Sequence, residues 1–253
     1  MARVTLVTAV WQRRELTRAF WLWAARLRRR WRVSHGITLD LVAAASNDED
    51  AALGEAVGAR IVRHENTPLG AKFNAALLAA RENAPDAVLI MGSDDFFCDR
   101  AADALGGAVL ADRSVGFRDC YYLDLATGAT RYLKGYRVKS RHREPVGCGT
   151  LHRRDLLDRL NWRLWDATQH HGMDNSRFAT LNAHGAMPEL LWLRDLDAVM
   201  VDIKTPVNLW PFDRTRKQPV MSAEEGRAML AHLPAEVLAA IPWPHPVPSA
   251  QAA

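Results

Sequence analysis

Two adjacent carboxylates, Asp94 and Asp95, follow the apolar run AVLIMG of residues 87–92 and are followed in turn by Phe96 and Phe97. Two neighbouring acids repel, and turns that end strands are rich in aspartate for purely local reasons. Here the preceding run is continuous and apolar, and Gly92 and Ser93 leave room for a ligand beside the acids. Carboxylates in that setting suit a hard divalent cation, Mg²⁺ or Mn²⁺, bridging a carboxylate and a diphosphate. On this expectation the acids neutralise no basic group of the protein; they hold a metal whose other ligands are phosphate oxygens.

Other residues could serve the same chemistry. Lys72 stands close to Gly70 and Asn74 at an expected helix start, where backbone N–H groups and a cation can meet phosphate oxygens; an exposed lysine is the competing account. Arg13, at the end of the first expected strand, is a similar case. Lys204 follows Asp202 in VDIKTPVNLW and the two can close over phosphates or form an ordinary surface pair. The run KGYRVKSRHRE, residues 134–144, carries Arg137, Lys139 and Arg141 with Tyr132 and Tyr136 near it. It reads either as a flexible basic loop gripping a leaving group or polyanionic acceptor, or as a solvated loop. His170 and His171 either line the same site or sit on the surface.

These residues need a scaffold, and composition bounds it. The chain has 253 residues, 49% hydrophobic and 25% charged, enough for an ordinary α/β core. Net charge is +4 and the sequence pI about 9.2, which favours a phosphate-bearing partner without requiring one. Cys98, Cys120 and Cys148 stand far apart, in neither a disulfide framework nor a zinc spacing, and fit a reducing cytoplasm. No window approaches the roughly 18 apolar residues of a membrane span, and the first residues lack a signal-peptide pattern. A soluble, cytoplasmic protein is expected.

Along the chain, RVTLVTAV (3–10), GITLDLVAAA, ARIVRHEN and DAVLIMG read as strands. Between them, helical spacing joins Leu16, Phe20, Trp23, Ala24, Leu27 and Trp31, and shorter helices are expected at NDEDAALGEAVG and GAKFNAALLAARENA. The arginines of the first helix are expected to lay their stems over its apolar face. This βαβαβαβ order predicts an open, mostly parallel sheet flanked by helices, whose ligands bind beyond the carboxyl ends of the strands, where Asp94 and Asp95 fall. Further on, SVGFRDCYYLDLATGATRYLKGYRV reads as strands with a turn, RRDLLDRLNW and MDNSRFATLNAHG as helices, and LLWLRDLDAVMVDIKT as a strand pair. One domain over residues 1–240 is expected, with a ligand half to about residue 110 and a second half after it, then a Pro-rich tail at 241–253.

The order of these segments resembles the inverting, family-two type of GT-A glycosyltransferase. VTLVTAVWQRREL is similar to that family's opening strand, NTPLGAKFNAALLAAR to its N-x-x-G-x-x-x-x-N helix start, and LIMGSDDFF stands in the place of its D-x-D motif. VGCGTLHRRDLLDRL is similar to its G-x-x-x-x-R-R segment, and HHGMDNSRFATLNAHG to the helix start bearing its catalytic base. The likeness runs from about residue 3 to about residue 186, and VMVDIKTPVNLWPF further resembles a segment of bacteriophage-type glycosyltransferases. The resemblance implies a GT-A (Rossmann-like) fold and transfer of a sugar from a nucleotide diphosphate sugar, a UDP-sugar, to a hydroxyl. It implies metal ligation by Asp94 and Asp95 and a base at Asp174, a position equally suited to a helix cap. It also implies donor contacts from Thr8, Val10, Arg13, Ser46, Lys72, Asn74, Gly92, Ser93 and Lys204, and acceptor contacts from Arg137, Lys139, Arg141 and His171.

Two departures stand out. Gly92 replaces the first acid of D-x-D, and Ala44 and Ala45 replace an acidic pair that reads the nucleobase, leaving Ser46, Asn47 and Asp48 as substitutes. For the acceptor, the basic charge and phage-type likeness suggest a hydroxymethylated pyrimidine in phage DNA, flipped from the stack, in which case the protein would act in the host cytoplasm. A glycan, lipid-linked or small-molecule acceptor, a metal-dependent nucleotidyltransferase and a non-catalytic nucleic-acid-binding protein are the alternatives.

Overall fold

Val4, Leu6, Val7 and Val10 make Arg3–Val10 a strand that suits only a buried position, and it forms β1 near the middle of a seven-stranded sheet. The computed structural model describes residues 1–136 and 139–243, with Lys139 described by its backbone alone. Arg137 and the Pro-rich residues 244–253 lie outside the described residues.

β1 is followed by α1 (Arg14–His35), β2 (Thr38–Ala45), α2 (Asp48–Glu55), β3 (Arg60–Arg63), α3 (Leu69–Ala80) and β4 (Ala87–Ile90). β1 pairs in parallel with β2 and β4, and β2 with β3, as the alternating pattern predicts. After β4 come β5 (Asp95–Phe97), α4 (Asp99–Leu110), β6 (Val115–Phe117), β7 (Cys120–Asp124) and β8 (Thr130–Leu133). The remainder is β9 (Thr150–Arg153), α5 (Arg154–Arg159), α6 (Met173–Ala183), β10 (Glu189–Leu191), β11 (Met200–Lys204), α7 (Ala223–Leu230) and α8 (Ala235–Ala240). The large sheet runs β10-β6-β9-β4-β1-β2-β3, and β9 lies antiparallel to both of its neighbours. A second sheet runs β5-β11-β7-β8.

All six residues expected on the apolar face of α1 are buried. The helix also fixes the second sheet and α4: Trp23 Nε1 donates to the Phe97 carbonyl of β5 at 3.0 Å and Trp31 Nε1 to the Ala102 carbonyl of α4 at 2.9 Å. Phe96 and Phe97 pack edge-on against Trp23, at centroid separations of 6.4 and 4.6 Å. Burying each phenyl group contributes about 1.5–3 kcal/mol. The two phenylalanines after the acids are therefore the apolar anchor that holds the acid-bearing turn against the core.

Two sequence expectations change. β10 and β11, expected to pair, belong to different sheets, β10 beside β6 and β11 between β5 and β7. Many α1 arginines form ion pairs: Arg14 with Glu49, Arg26 with Asp99 and Glu236, and Arg30 with Asp99 and Asp103. Ile241 is buried, as is Val237 of α8. No helix among the described residues is long and apolar enough to cross a membrane.

Candidate active site

The chain leaves β4 through Gly92, Ser93 and Asp94, turns with the Asp95 N–H on the Gly92 carbonyl at 3.2 Å, and enters the second sheet. Because β5 pairs antiparallel with β11, Asp95 lies opposite Asp202, and the Ile203 N–H donates to the Asp94 carbonyl at 2.9 Å. One strand end therefore gathers three carboxylates, Asp94, Asp95 and Asp202. They line a cleft of about 660 Å³ whose lining also includes Tyr136, Asp174 and Trp210.

The acids do have basic partners, contrary to the expectation drawn from the sequence. Arg13 Nη1 donates to Asp94 Oδ2 at 2.5 Å and Nη2 to Ser93 Oγ at 2.9 Å. Asn208 Nδ2 donates to the same Asp94 oxygen at 2.5 Å, and Lys204 Nζ to Asp202 Oδ2 at 2.6 Å. Behind Arg13, the buried Asp50 accepts the Gln12 N–H at 3.0 Å, which ties the loop after β1 to the start of α2.

Burial acts to raise the Asp94 carboxyl, but the charges of Arg13 and Lys204 and the hydrogen bonds from Arg13 and Asn208 overcome it and hold the group below the usual range. Asp95 goes the other way: burial, then Asp202 and Asp94, push it well up. Asp202 rises to about 6, through burial with Asp94 adding to it, against the pull of Lys204. The thiol of Cys148, raised by burial and by Asp95, stays protonated and hydrogen-bonds Asp95.

Two observations bear on a cation. Asp95 Oδ1 and Asp202 Oδ1 are buried with no hydrogen-bond partner among the described residues. A Cβ placed on Gly92 would lie 2.2 Å from Asp95 Oδ2 and 2.9 Å from Asp94 Oδ1, so both oxygens border the space that the missing side chain leaves. Among the described residues no three His, Cys, Asp or Glu side chains form a metal-holding group. Asp94 Oδ1 and Asp95 Oδ2, the two oxygens that border this space, would be the ones to hold a cation.

Asp174, which lines the same cleft, sits in the first turn of α6. Its Oδ2 accepts the Tyr136 hydroxyl at 2.7 Å. Arg177, buried about one turn further along the same helix, donates to Thr150 Oγ1 at 2.8 Å and to the Val146 carbonyl at 3.3 Å, holding the 146–150 segment against α6. His170 and His171 also line the cleft, their rings edge to face at 4.8 Å.

The remaining expected contacts divide. Gly92, Asp94, Asp95, Lys204, Arg141, His171 and Asp174 line the cleft. Arg13 and Ser93 stand behind Asp94. Thr8 and Val10 are buried within β1 and Ser46 follows β2, the Thr8 and Ser46 hydroxyls being buried without partners among the described residues. Lys72 is wholly buried, donating to the Val10 carbonyl at 2.7 Å and to Asn66 at 3.1 Å; burial lowers it to about 8. Asn74 bonds the backbone of Leu164 and Trp165. As placed, both residues brace the scaffold under the site. Arg141 is clamped by Glu144, with bonds of 2.5 Å to each carboxylate oxygen. Cys148 and Asn208 were not singled out as site residues from sequence, since nothing in their local spacing marks them; Tyr136 was noted only as an aromatic beside the basic run of residues 134–144.

The chain matches no protein-family model and no curated protein sequence. Its fold does have solved counterparts. The S. aureus TarS 1–349 structure superposes with a TM-score of 0.51 at 11% identity, over 79% of this chain and 60% of that one. The same TarS fragment in complex with UDP-GlcNAc gives 0.52 at 11% identity, over 82% and 60%, and with UDP 0.51 at 13%, over 81% and 61%. The chain thus spans about three-fifths of the TarS chains. The architecture is the GT-A, Rossmann-like α/β fold.

Proposed function

We propose that this protein is an inverting glycosyltransferase that moves a sugar from a nucleotide diphosphate sugar, a UDP-sugar, to a hydroxyl. The observation that carries the reading is a single cleft lined by Asp94, Asp95 and Asp174 together. The acceptor oxygen bonds to the anomeric carbon as the bond from that carbon to the diphosphate oxygen breaks on the opposite face, and Asp174 takes the acceptor proton. Asp94 and Asp95 hold Mn²⁺ or Mg²⁺, which when bound stabilises charge on the departing diphosphate. Lys204, beside them, offers that diphosphate a fixed cation. TarS, named in its structures as binding UDP and UDP-GlcNAc, supports the choice of donor by likeness of fold.

For the acceptor, the mouth of the cleft favours a phosphate-bearing one. Trp210 is 52% exposed, Arg214 lies 5.4 Å from its ring centroid, and Lys217 lines the same cleft. A stackable ring beside cations suits a nucleic acid, and on this ground we keep hydroxymethylated pyrimidine in phage DNA as the acceptor to test.

Calorimetric titration of UDP with and without Mn²⁺ tests the donor site. Binding that tightens with Mn²⁺ in the wild type, and not in Asp94→Asn, is expected; UDP that fails to bind under either condition contradicts the reading. Binding to hydroxymethylated DNA should fall steeply with salt, and a flat response counts against a phosphate grip.

A further inference from the structure

The run of residues 134–144 was expected either as a flexible basic loop or as a solvated loop, yet Tyr136 and Glu144 within it are pinned from several sides. Arg118 Nη2 donates to the Tyr136 carbonyl at 3.1 Å and Nη1 to the Glu144 carbonyl at 3.4 Å. The Arg141 guanidinium lies over the Tyr136 ring, 3.7 Å from its centroid, and is itself held by the two carboxylate oxygens of Glu144, which is 1% exposed. The tyrosine ring is thus fixed from below by a cation that has no freedom to leave. All of that rigidity is delivered to one atom, the hydroxyl that donates to Asp174 Oδ2 at 2.7 Å.

An aspartate offers two equivalent oxygens, and a base works only when one is aimed and unoccupied. Here Oδ2 accepts the Tyr136 hydroxyl, and no hydrogen bond to Oδ1 is seen among the described residues. Oδ1 faces Gly147: a Cβ on Gly147 would lie 2.6 Å from it, so the missing side chain is what leaves that oxygen its space. Burial and the Asp174 charge push the Tyr136 phenol well up, which keeps it a donor.

We propose that Tyr136 is a positioning residue, one that engages Asp174 Oδ2 so that Oδ1 alone faces the acceptor hydroxyl and takes its proton. This rests on the reading of Asp174 as the base. Glu144 and Arg141 act through Tyr136, so Arg141 serves the site by holding a ring rather than by binding an acceptor. The role requires the hydroxyl, while the ring's packing requires only its apolar face.

The test is steady-state release of nucleoside diphosphate from a panel of UDP-, GDP- and dTDP-sugars, comparing wild type, Tyr136→Phe and Asp174→Asn. Tyr136→Phe should lose about 10- to 100-fold in kcat, the scale of a misaimed group, with the donor KM unchanged. Asp174→Asn should lose about 10²- to 10⁴-fold in kcat, again with the donor KM kept. A retained donor KM shows that each variant is folded. If Asp174→Asn loses activity and Tyr136→Phe keeps full kcat, the positioning role is overturned and the base reading stands. If Asp174→Asn keeps full kcat, the base reading falls and this inference with it. A wild type silent with every donor contradicts the glycosyltransferase reading itself.

Discussion

Arg13 and Asp94 meet across 81 residues of chain, the guanidinium donating to the carboxylate at 2.5 Å while its second nitrogen holds Ser93. The side chains are only 15% and 14% exposed, so each charge relies on the other. Removing one partner leaves a nearly buried charge uncompensated. Arg13→Met is expected to cost about 3 kcal/mol at neutral pH, read by urea denaturation, and to weaken UDP binding as Asp94 loses its orientation.

The same cluster predicts two opposite pH dependences. Asp94 is held below its unfolded value, so its contribution to stability is present above about pH 4 and lost as pH falls through the lower folded value. Asp202 is raised from 3.8 to about 6, so the folded state binds the extra proton and stability falls as pH rises from the unfolded value towards 6. Thermal unfolding followed between pH 4 and 7 should therefore show a decline that Asp202→Asn makes shallower, the raised Asp95 supplying a decline of the same sign. An unchanged slope in that variant would show that Asp202 is not a raised group.

Restoring the missing acid of the D-x-D pattern should not improve the enzyme. With a Cβ at Gly92 only 2.2 Å from Asp95 Oδ2, both Gly92→Ala and Gly92→Asp must push the carboxylates apart. Overpacking of this kind costs about 1–3 kcal/mol. Both variants should show a lower melting temperature and weaker Mn²⁺-dependent UDP binding; a Gly92→Asp variant that binds more tightly would contradict the geometry.

Gly147, which lines the same cleft, makes the matching prediction for Asp174. Its Cβ would sit 2.6 Å from Asp174 Oδ1, so Gly147→Ala should lower kcat by at least about tenfold while UDP affinity is retained. A drop in affinity without a drop in kcat would mean that the loop serves the donor instead.

The first half of the fold was legible because its signals are local. Strands of β-branched residues alternate with a helix whose apolar face, from Leu16 to Trp31, lies at helical spacing, and every residue of that face is buried. The second half was harder for a physical reason. β5 and β9 have three and four residues, too few to show a period, and their identity comes from partners far along the chain. The site divides in the same way. Asp94 and Asp95 announce themselves at the end of an apolar strand. The partners Arg13 and Asn208 do not, because only tertiary contacts select them, and so the acids were read as having no basic partners. Lys72 and Asn74 matched a motif yet turn inward, to the Val10 carbonyl and to the backbone at Trp165, since a motif gives order along the chain but not the direction of a side chain.

The central claim is sugar transfer from a nucleotide sugar at the cleft shared by Asp94 and Asp174. It is tested most directly by incubating the protein with Mn²⁺ and a panel of nucleotide sugars, with and without hydroxymethylated DNA, and measuring free nucleoside diphosphate. Release from one donor, abolished in Asp94→Asn and Asp174→Asn, is the predicted result. No release from any donor, or release of pyrophosphate from a nucleoside triphosphate in its place, would contradict it.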